Sequence, residues 1–500
     1  MGKVVNSSTI IKNLLKIVGD RKDINFIFIV TALFYSLAWL VNPGNKIILG
    51  SVFILLIIFY LRIKNLRLCL FLTYLVSMII FTGKTYTLQL VPAGVFTEEL
   101  YPNGYIVFFV ISPRHFLVFF MLTILVRDFI ISKFRLVKFR KEDLTLISFY
   151  AWIILSDVFG SKKPEISLLF SLISLEGLIL YFYLRAYNFG YSQFLKAVLW
   201  IFVGIVLFQA AISFQQFFAG SPIYKNLEHQ VNILDIGWSA DELQFRFRPL
   251  GTFPHSNILA SWLTFLLSII FVGLSKKPGY FLFASFIVGS VVLVMTISRS
   301  SWMGFLVSMM LIIYVLEKIK RIKLPKMITK HFVSLLVLAA ALFLLFILPR
   351  AEKSLYSLEA EGGGLLRLAQ TQETTALILQ NPVFGVGSYM TIQETLRLSP
   401  RGIFSLAPMT IHNWYLLLTA EHGIPAVILF LIFVILSVNR LAAKILRGRM
   451  ESLEAYLRLG SLGGILAILV SGLFQNFLVL NLILFSSALF GKVNDNKKLR

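Results

Sequence analysis

Cysteine and charge are both scarce in this chain. Its 500 residues include one cysteine, Cys69, which lies in an apolar run, so no disulfide and no cysteine-based metal site can form within the chain. Charged residues make up 14% of the sequence and hydrophobic residues 58%, whereas soluble domains contain about 25% and about 45–50%. These deficits exclude a soluble globular protein and a redox role, and they predict a polytopic membrane protein.

Acidic residues are scarcer still, with 24 Asp and Glu against 47 Lys and Arg and a net charge of +23. A nucleic-acid-binding protein would place that excess on a solvated face interleaved with aromatic residues. Here the basic residues lie between apolar runs, in segments such as "KFRLVKFRKED" and "EKIKRIKLPKMITK". Because cytoplasmic loops of membrane proteins are enriched in Lys and Arg, the excess indicates topology. It predicts contact with membrane lipids and no nucleic-acid partner.

Apolar runs long enough to cross a bilayer recur along the chain. We predict an all-α polytopic protein with about 12–14 transmembrane helices, at about 24–41, 47–61, 68–81, 116–131, 144–159, 166–184, 197–217, 257–274, 280–297, 302–316, 332–348, 413–438, 460–474 and 477–490. The count is a range because several runs are short and the last two are separated only by Gln475 and Asn476. The charge pattern places a single membrane domain at 24–492 between cytoplasmic tails at 1–23 and 493–500. The first tail lacks the compact apolar core and cleavage site of a signal peptide.

Two long loops are predicted on the outer side, at about 219–254 and 349–411. Loops of this length usually have a function. The second contains "LLRLAQTQETTALILQ", an amphipathic helix that "NPVFGVGS" should end, and we expect this helix to lie on the outer membrane face. The basic segment "SKKPE" is an exception on the outer side that the charge pattern does not explain.

Three polar residues share the predicted outer side at the same depth. Arg248 ends the first long loop, Arg299 lies in a short turn, and His412 opens the helix after the second loop. Guanidinium groups bind phosphate oxygens in pairs, and a neutral imidazole is the usual general base near pH 7. The combination predicts transfer of a glycan from a lipid pyrophosphate to an acceptor hydroxyl. His255 is a second candidate for the base or a ligand.

Other ionisable residues receive different interpretations. The outer-side residues His229, Glu98 and Glu99 are interpreted as parts of a solvated face. Glu421 and His422 fall within a predicted span, so we expect the first turns of that helix to stand in a polar vestibule above the hydrocarbon. Gly423, eleven residues after His412, should allow another helix to approach closely.

Four motifs in order resemble the O-antigen ligase and polysaccharide polymerase superfamily of bacterial membrane proteins. They are "RPLGTFPHSNILASWL", "TISRSSWMGF", "LRLAQTQETTALILQNPVFGVGS" and "HNWYLLLTAEHGIPA", and the resemblance covers about 193–433. In the last motif Ala426 stands where the family has Gly, Thr or Tyr, which puts assignment to the ligase branch in doubt.

The resemblance implies an inverting membrane glycosyltransferase of cell-envelope or lipopolysaccharide biosynthesis. It implies a multi-pass protein of the cytoplasmic membrane that takes a glycan from an undecaprenyl-pyrophosphate carrier at the outer face, without a metal or cofactor. The acceptor would be a glycan, a lipid or a protein. His412 would activate the acceptor, and Arg248, Arg299 and Arg367 would bind the pyrophosphate. His255, Asn257 and Asn413 are the candidates for binding the acceptor or supporting the site.

Alternatives remain open at this point. A ligase and a polymerase differ only in their acceptor, and the sequence does not separate them. A lipid-linked glycan flippase or another transporter would place polar residues along several mid-membrane faces, with broken helices in paired repeats. A metal-dependent glycosyltransferase would have an acidic motif in its first outer loop, but that loop reads "NPGNK".

Overall fold

The chain folds into a helical bundle with one small β-hairpin. The computed structural model describes residues 25–37, 45–80, 84–91, 105–132, 137–187, 191–220, 248–276, 279–320, 364–406, 410–448, 452–477 and 479–490. The helices are α1 (Asn25–Leu37), α2 (Asn45–Ile63), α3 (Leu66–Ser77), α4 (Pro113–Ile131), α5 (Lys141–Phe159), α6 (Pro164–Ala186), α7 (Tyr191–Ala219), α8 (Ser256–Lys276), α9 (Tyr280–Met295), α10 (Arg299–Tyr314), α11 (Gly364–Gln380), α12 (Thr391–Leu398), α13 (Ile403–Leu406), α14 (Trp414–Arg447), α15 (Leu453–Gly472) and α16 (Leu480–Phe490).

The hairpin is the part of the fold that the helical prediction did not include. Strand β1 (Lys84–Val91) pairs antiparallel with β2 (Tyr105–Ile111), with Lys84 opposite Ile111 and an irregularity between Gln89 and Val91. Both segments are rich in β-branched and aromatic residues, which favour strands. The prediction of an all-α architecture is confirmed for the rest of the described chain.

The prediction of a polytopic membrane protein is confirmed. Six described helices are long and apolar enough to cross a bilayer, and five more are apolar but shorter. Helices α4 and α5 coincide with two further predicted spans, although each contains several charged residues. The predicted span at 332–348 lies outside the described residues. The apolar C-terminal region forms two helices, α15 and α16, with Gln475 and Asn476 at the break between them.

Local sequence signals explain where several helices begin. The side chains of Asn65, Asn413 and Ser452 accept hydrogen bonds from backbone amides in the first turns of α3, α14 and α15. Pro113 and Pro164 occupy the first turns of α4 and α6, where the missing amide hydrogen of proline costs nothing. These signals can be read directly from the sequence.

Helices α8, α10 and α15 pack closely in the centre of the bundle. Small residues on α15 and α10 make the contact possible, because they let helix backbones approach in a membrane. A Cβ atom added at Gly304 would lie 2.5 Å from the carbonyl oxygen of Ala467, and one at Gly460 would lie 2.9 Å from the Cα of Ile269. This packing fixes α8 and α10, which the site described below depends on.

Replacing Gly304 with valine should therefore destabilise the bundle. The added side chain would force α10 away from α15, and overpacking of this kind costs about 1–3 kcal/mol. The melting temperature of the purified protein in detergent measures the effect. Gly50→Val is the matched control, because no atom lies within 4 Å of a Cβ added at Gly50. Equal melting temperatures for the two variants would contradict the close contact.

Candidate active site

The guanidinium group of Arg248 is held at one end of the bundle by two other segments. Its Nε donates to the carbonyl oxygen of Thr296 at 2.9 Å, and one terminal nitrogen donates to Oδ1 of Asn257 at 3.1 Å. Thr296 ends α9, and Asn257 lies in the first turn of α8. The predicted site residue Asn257 therefore orients Arg248.

The turn between α9 and α10 joins Arg248 to Arg299. Ile297 in this turn has a φ of +53°, which is uncommon for a β-branched residue and costs of the order of 1–3 kcal/mol. Two residues later Arg299 begins α10 with its side chain exposed. The strained turn thus directs the Thr296 carbonyl oxygen to Arg248 and places Arg299 at the same end of the bundle.

His255 lies directly before α8, close enough to Arg248 and His412 for their charges to interact. Its Nδ1 accepts a hydrogen bond from the backbone amide of Asn257 at 3.0 Å. Burial is the main cause that lowers the pKa of His255, and the positive charges of Arg248 and of protonated His412 lower it further, to about 3. A neutral imidazole whose Nδ1 accepts must have its proton on Nε2. His255 is therefore arranged as a hydrogen-bond donor, which argues against its role as an alternative base.

His412 faces the same region from the segment before α14. Burial is the main cause that lowers the pKa of His412, and the positive charge of Arg367 lowers it further, to about 4. The ring is therefore neutral at pH 7. Within the described part of the chain, its buried Nδ1 has no hydrogen-bond partner. A neutral imidazole with an unused nitrogen is what a general base requires.

Arg367 lies near the start of α11 and completes the cluster. Burial is the main cause that lowers the pKa of Arg367, and the positive charge of Arg299 lowers it further. Its Nε is buried and has no hydrogen-bond partner among the described residues. Arg367 is also the charge that acts on His412. The four predicted catalytic and pyrophosphate-binding residues therefore converge at one end of the bundle, with an excess of positive charge that an anionic ligand would neutralise.

The remaining predicted residues lie elsewhere or have structural roles. Asn413 caps α14 by accepting from the amides of Tyr415 at 3.0 Å and Leu416 at 3.1 Å. This contact fixes the direction in which the chain leaves His412. The predicted solvated residues His229, Glu98 and Glu99 lie outside the described residues.

The loop helix is confirmed as α11, and its apolar side packs on the protein. Leu377 and Ile378 belong to a buried cluster with Val386, Met390 and Phe404, on which Leu416 of α14 also packs. The basic exception in the charge pattern is explained by the same region. Lys162 lies 2.9 Å from the carboxylate of Glu394 in α12, so it pairs with the loop that contains Arg367.

The atoms nearest to Gly423 belong to a loop, whereas the sequence predicts the close approach of a helix. Gly423 has a φ of +76° and interrupts α14, and a Cβ there would overlap the carbonyl oxygen of Val383. The loop after α11 docks at this break through main-chain atoms. The amides of Val386 and Gly387 donate to the carbonyl oxygens of Ala420 and Glu421 at 3.0 and 2.8 Å, and the amide of Ile424 donates to that of Pro382 at 2.9 Å.

Asp157 at the end of α5 holds the same docked loop. Its carboxylate accepts from the amide of Ser388 at 2.8 Å and from the hydroxyl of Ser171. The Nδ1 of His422 lies 3.7 Å from Oδ1 of this carboxylate and its Nε2 lies 3.4 Å from the Ser388 hydroxyl oxygen, which itself donates to Oδ2 of Asp157 at 3.2 Å. The three residue types are those of a hydrolase triad, but here the serine bonds the carboxylate directly, and Asp157, His422 and Ser388 are only 0%, 4% and 6% exposed. Their burial makes them a structural junction between the loop and the bundle.

Asp157 and Ser388 were not selected from the sequence. Their contact joins positions 231 residues apart, and the only local signal is a carboxylate near the end of an apolar run. As for metals, no cluster of three or more His, Cys, Asp or Glu side chains that could hold an ion occurs among the residues described.

Comparison with known proteins identifies the family that the motifs resemble. A family model described as O-antigen ligase matches residues 283–431. The matched range includes Arg299, Arg367 and His412, whereas Arg248 and His255 precede it. No curated protein matches the chain. The resemblance to the O-antigen ligase superfamily is thereby confirmed.

Proposed function

We propose that this protein transfers a glycan from an undecaprenyl-pyrophosphate carrier to an acceptor hydroxyl at the outer face of the cytoplasmic membrane, without a metal ion. The observation that supports this most strongly is the convergence of Arg248, Arg299, Arg367 and His412 at one end of the bundle. The family match gives independent support for ligase- or polymerase-type chemistry.

In the proposed reaction His412 is the general base. Its unused Nδ1 removes the proton of the acceptor hydroxyl while the acceptor oxygen forms a bond to the anomeric carbon. The bond between that carbon and the pyrophosphate oxygen breaks, and its electron pair leaves with the oxygen. The guanidinium groups neutralise the negative charge that grows on the pyrophosphate. The products are the new glycoside and the carrier pyrophosphate, with one proton left on His412.

Donor binding should adjust the basicity of His412. In the ligand-free protein the charge of Arg367 contributes to its low pKa. A bound diphosphate would offset the positive charge of the arginines, because an anion near an imidazole favours the protonated form. The pKa of His412 should therefore rise when the donor binds, which brings it closer to the value that suits a base at neutral pH.

The product test uses the purified protein with a pyrophosphate-linked donor and a hydroxyl acceptor. We expect glycoside and carrier pyrophosphate to form in equal amounts. A flippase would move the donor across a vesicle bilayer and leave its glycosidic bond intact. Glu176 in the middle of α6 is the type of buried residue a transporter would use, but it accepts from Tyr74 at 2.6 Å and lies 3.5 Å from Arg114. Donor movement without bond cleavage would favour the transporter.

Chelation tests the proposed lack of a metal requirement. We expect EDTA to leave the transfer rate unchanged within about twofold, because arginines supply the positive charge that a metal ion supplies in metal-dependent transferases. The measurement is the initial rate before and after dialysis against the chelator. A rate that falls with EDTA and returns with Mg²⁺ or Mn²⁺ would overturn this part of the proposal.

A further inference from the structure

The break between α15 and α16 places two amide side chains beside the candidate site. They belong to Gln475 and Asn476, and Gln475 is only 1% exposed. Both positions lie beyond the residues 283–431 that match the family model. In the sequence they indicate only a break between two apolar runs.

Gln475 binds the residues on both sides of Arg299. Its Nε2 lies 2.7 Å from the hydroxyl oxygen of Ser300, 3.0 Å from that of Ser301 and 3.3 Å from that of Ser298. Its Oε1 accepts from the hydroxyl of Ser261 in α8 at 2.9 Å. One buried amide therefore joins the first turn of α10, where Arg299 lies, to α8.

The hydroxyl of Ser298 shows that these contacts replace an ordinary helix cap. A serine at this position normally accepts a hydrogen bond from an amide in the first turn of its helix. Here Ser298 precedes α10 but its side chain makes no such bond. It contacts Ser301 at 3.1 Å and Gln475 instead. The start of α10 is thus held in part by the Gln475 side chain from outside the helix.

Asn476 binds the segment that leads to His412. Its Nδ2 donates to the hydroxyl oxygen of Thr410, two residues before His412. Tyr415 in the first turn of α14 makes a further contact, because its hydroxyl donates to the carbonyl oxygen of Leu469 in α15 at 2.9 Å. Adjacent residues at one break therefore contact the Arg299 turn and the His412 segment.

We propose that Gln475 and Asn476 are positioning residues for the transfer reaction, Gln475 for Arg299 and Asn476 for His412. Together they set the spacing between a pyrophosphate-binding group and the base. This inference rests on the proposed function. It adds residues of the last helical hairpin to the site, and it predicts that their effects on catalysis differ from each other.

The test compares Gln475→Leu with Asn476→Leu in the full-length purified protein. A displacement of about 1 Å can cost about 10²-fold in rate, so each variant should lose about 10- to 100-fold in kcat/KM. Gln475→Leu should weaken competitive inhibition by inorganic pyrophosphate and leave the pH dependence unchanged. Asn476→Leu should alter kcat and the pH dependence and leave pyrophosphate inhibition unchanged.

A buried serine elsewhere on α10 gives the matched control. Ser308 is fully buried and lies 2.7 Å from the hydroxyl of Ser268, in a polar contact away from the site. Ser308→Ala should change the melting temperature alone. If Gln475→Leu does not accumulate in the membrane, Ser300→Ala and Ser301→Ala remove two of these contacts from the α10 side and should also weaken pyrophosphate inhibition.

Two results would contradict different parts of the argument. If Gln475→Leu and Asn476→Leu change only the melting temperature, as Ser308→Ala does, the positioning role is wrong and the proposed function stands. The same holds if both variants change pyrophosphate inhibition and pH dependence alike. If the parent protein transfers no glycan, or Arg299→Ala leaves pyrophosphate inhibition intact, the proposed function itself fails.

Discussion

Replacing His412 with alanine is expected to reduce kcat by about 10²–10⁴-fold, the usual contribution of a general base. The imidazole is neutral at pH 7, and its Nδ1 has no competing partner in the described structure. Alanine removes the proton acceptor without touching the arginines, so KM for the donor should change little. The measurement is steady-state transfer by the purified variant, with pyrophosphate inhibition as the check that the binding site is intact.

The pH dependence of the parent protein should show the same residue. A base acts only when unprotonated, so kcat/KM should fall as the pH drops through about 4, the pKa of His412 in the ligand-free protein. The acidic limb of kcat should lie at higher pH, because the bound donor raises this pKa. His255→Gln is the control. It alters the neighbouring histidine, and kcat/KM and kcat should keep the pH dependence of the parent protein. A transfer rate of the His412→Ala variant within tenfold of the parent rate would contradict the assignment of His412 as the general base.

Replacing Arg299 with alanine is expected to lower kcat/KM by about 10²–10³-fold, as loss of a group that stabilises developing negative charge typically does. Arg299→Lys should recover little of this activity, because an ammonium group lacks the forked donors that match phosphate oxygens. Because Arg299 and Arg367 interact and are proposed to bind one group, the double alanine variant should lose less than the product of the two single effects. The measurements are the transfer rate and the inhibition by pyrophosphate of each of these variants.

The stability of the same variant separates a functional arginine from a structural one. In the ligand-free protein the charge of Arg299 opposes that of Arg367, which is buried and has its pKa lowered. Removing Arg299 relieves this repulsion, so the melting temperature should stay equal or rise while transfer is lost. Arg185 provides the contrast, since its guanidinium donates to buried Asp143 at 2.8 Å. Arg185→Ala should lower the melting temperature. A large fall for Arg299→Ala would indicate a structural role.

Much of the architecture follows from local sequence signals. Apolar runs predict the membrane helices, and the amphipathic pattern followed by Pro382 predicts α11. The candidate residues Arg248, Arg299 and His412 could be selected because each is a polar group at the edge of an apolar run, and because the Lys and Arg distribution predicts one common side. Their convergence did not follow from any single motif. It needed the assumption of common sidedness.

The parts that were missed depend on distant contacts or on backbone conformation. Gln475 meets Ser261 across 214 positions of sequence, and no local pattern indicates which helix end a polar residue will reach. The spacing from His412 to Gly423 correctly indicated a close approach, but a small residue does not reveal whether a helix or a loop will approach it. The positive φ of Ile297 has no sequence signal either, because β-branched residues disfavour that conformation.

The loop that docks at the broken helix does so largely through peptide groups, at Val386, Gly387 and Ile424. Every amino acid except proline can supply an amide hydrogen, so the identity of Val386 matters little to this contact. These three hydrogen bonds therefore do not require particular side chains, whereas Gly423 must be a residue without a Cβ atom. Such a joint constrains the backbone conformation of the loop more tightly than most of its side chains.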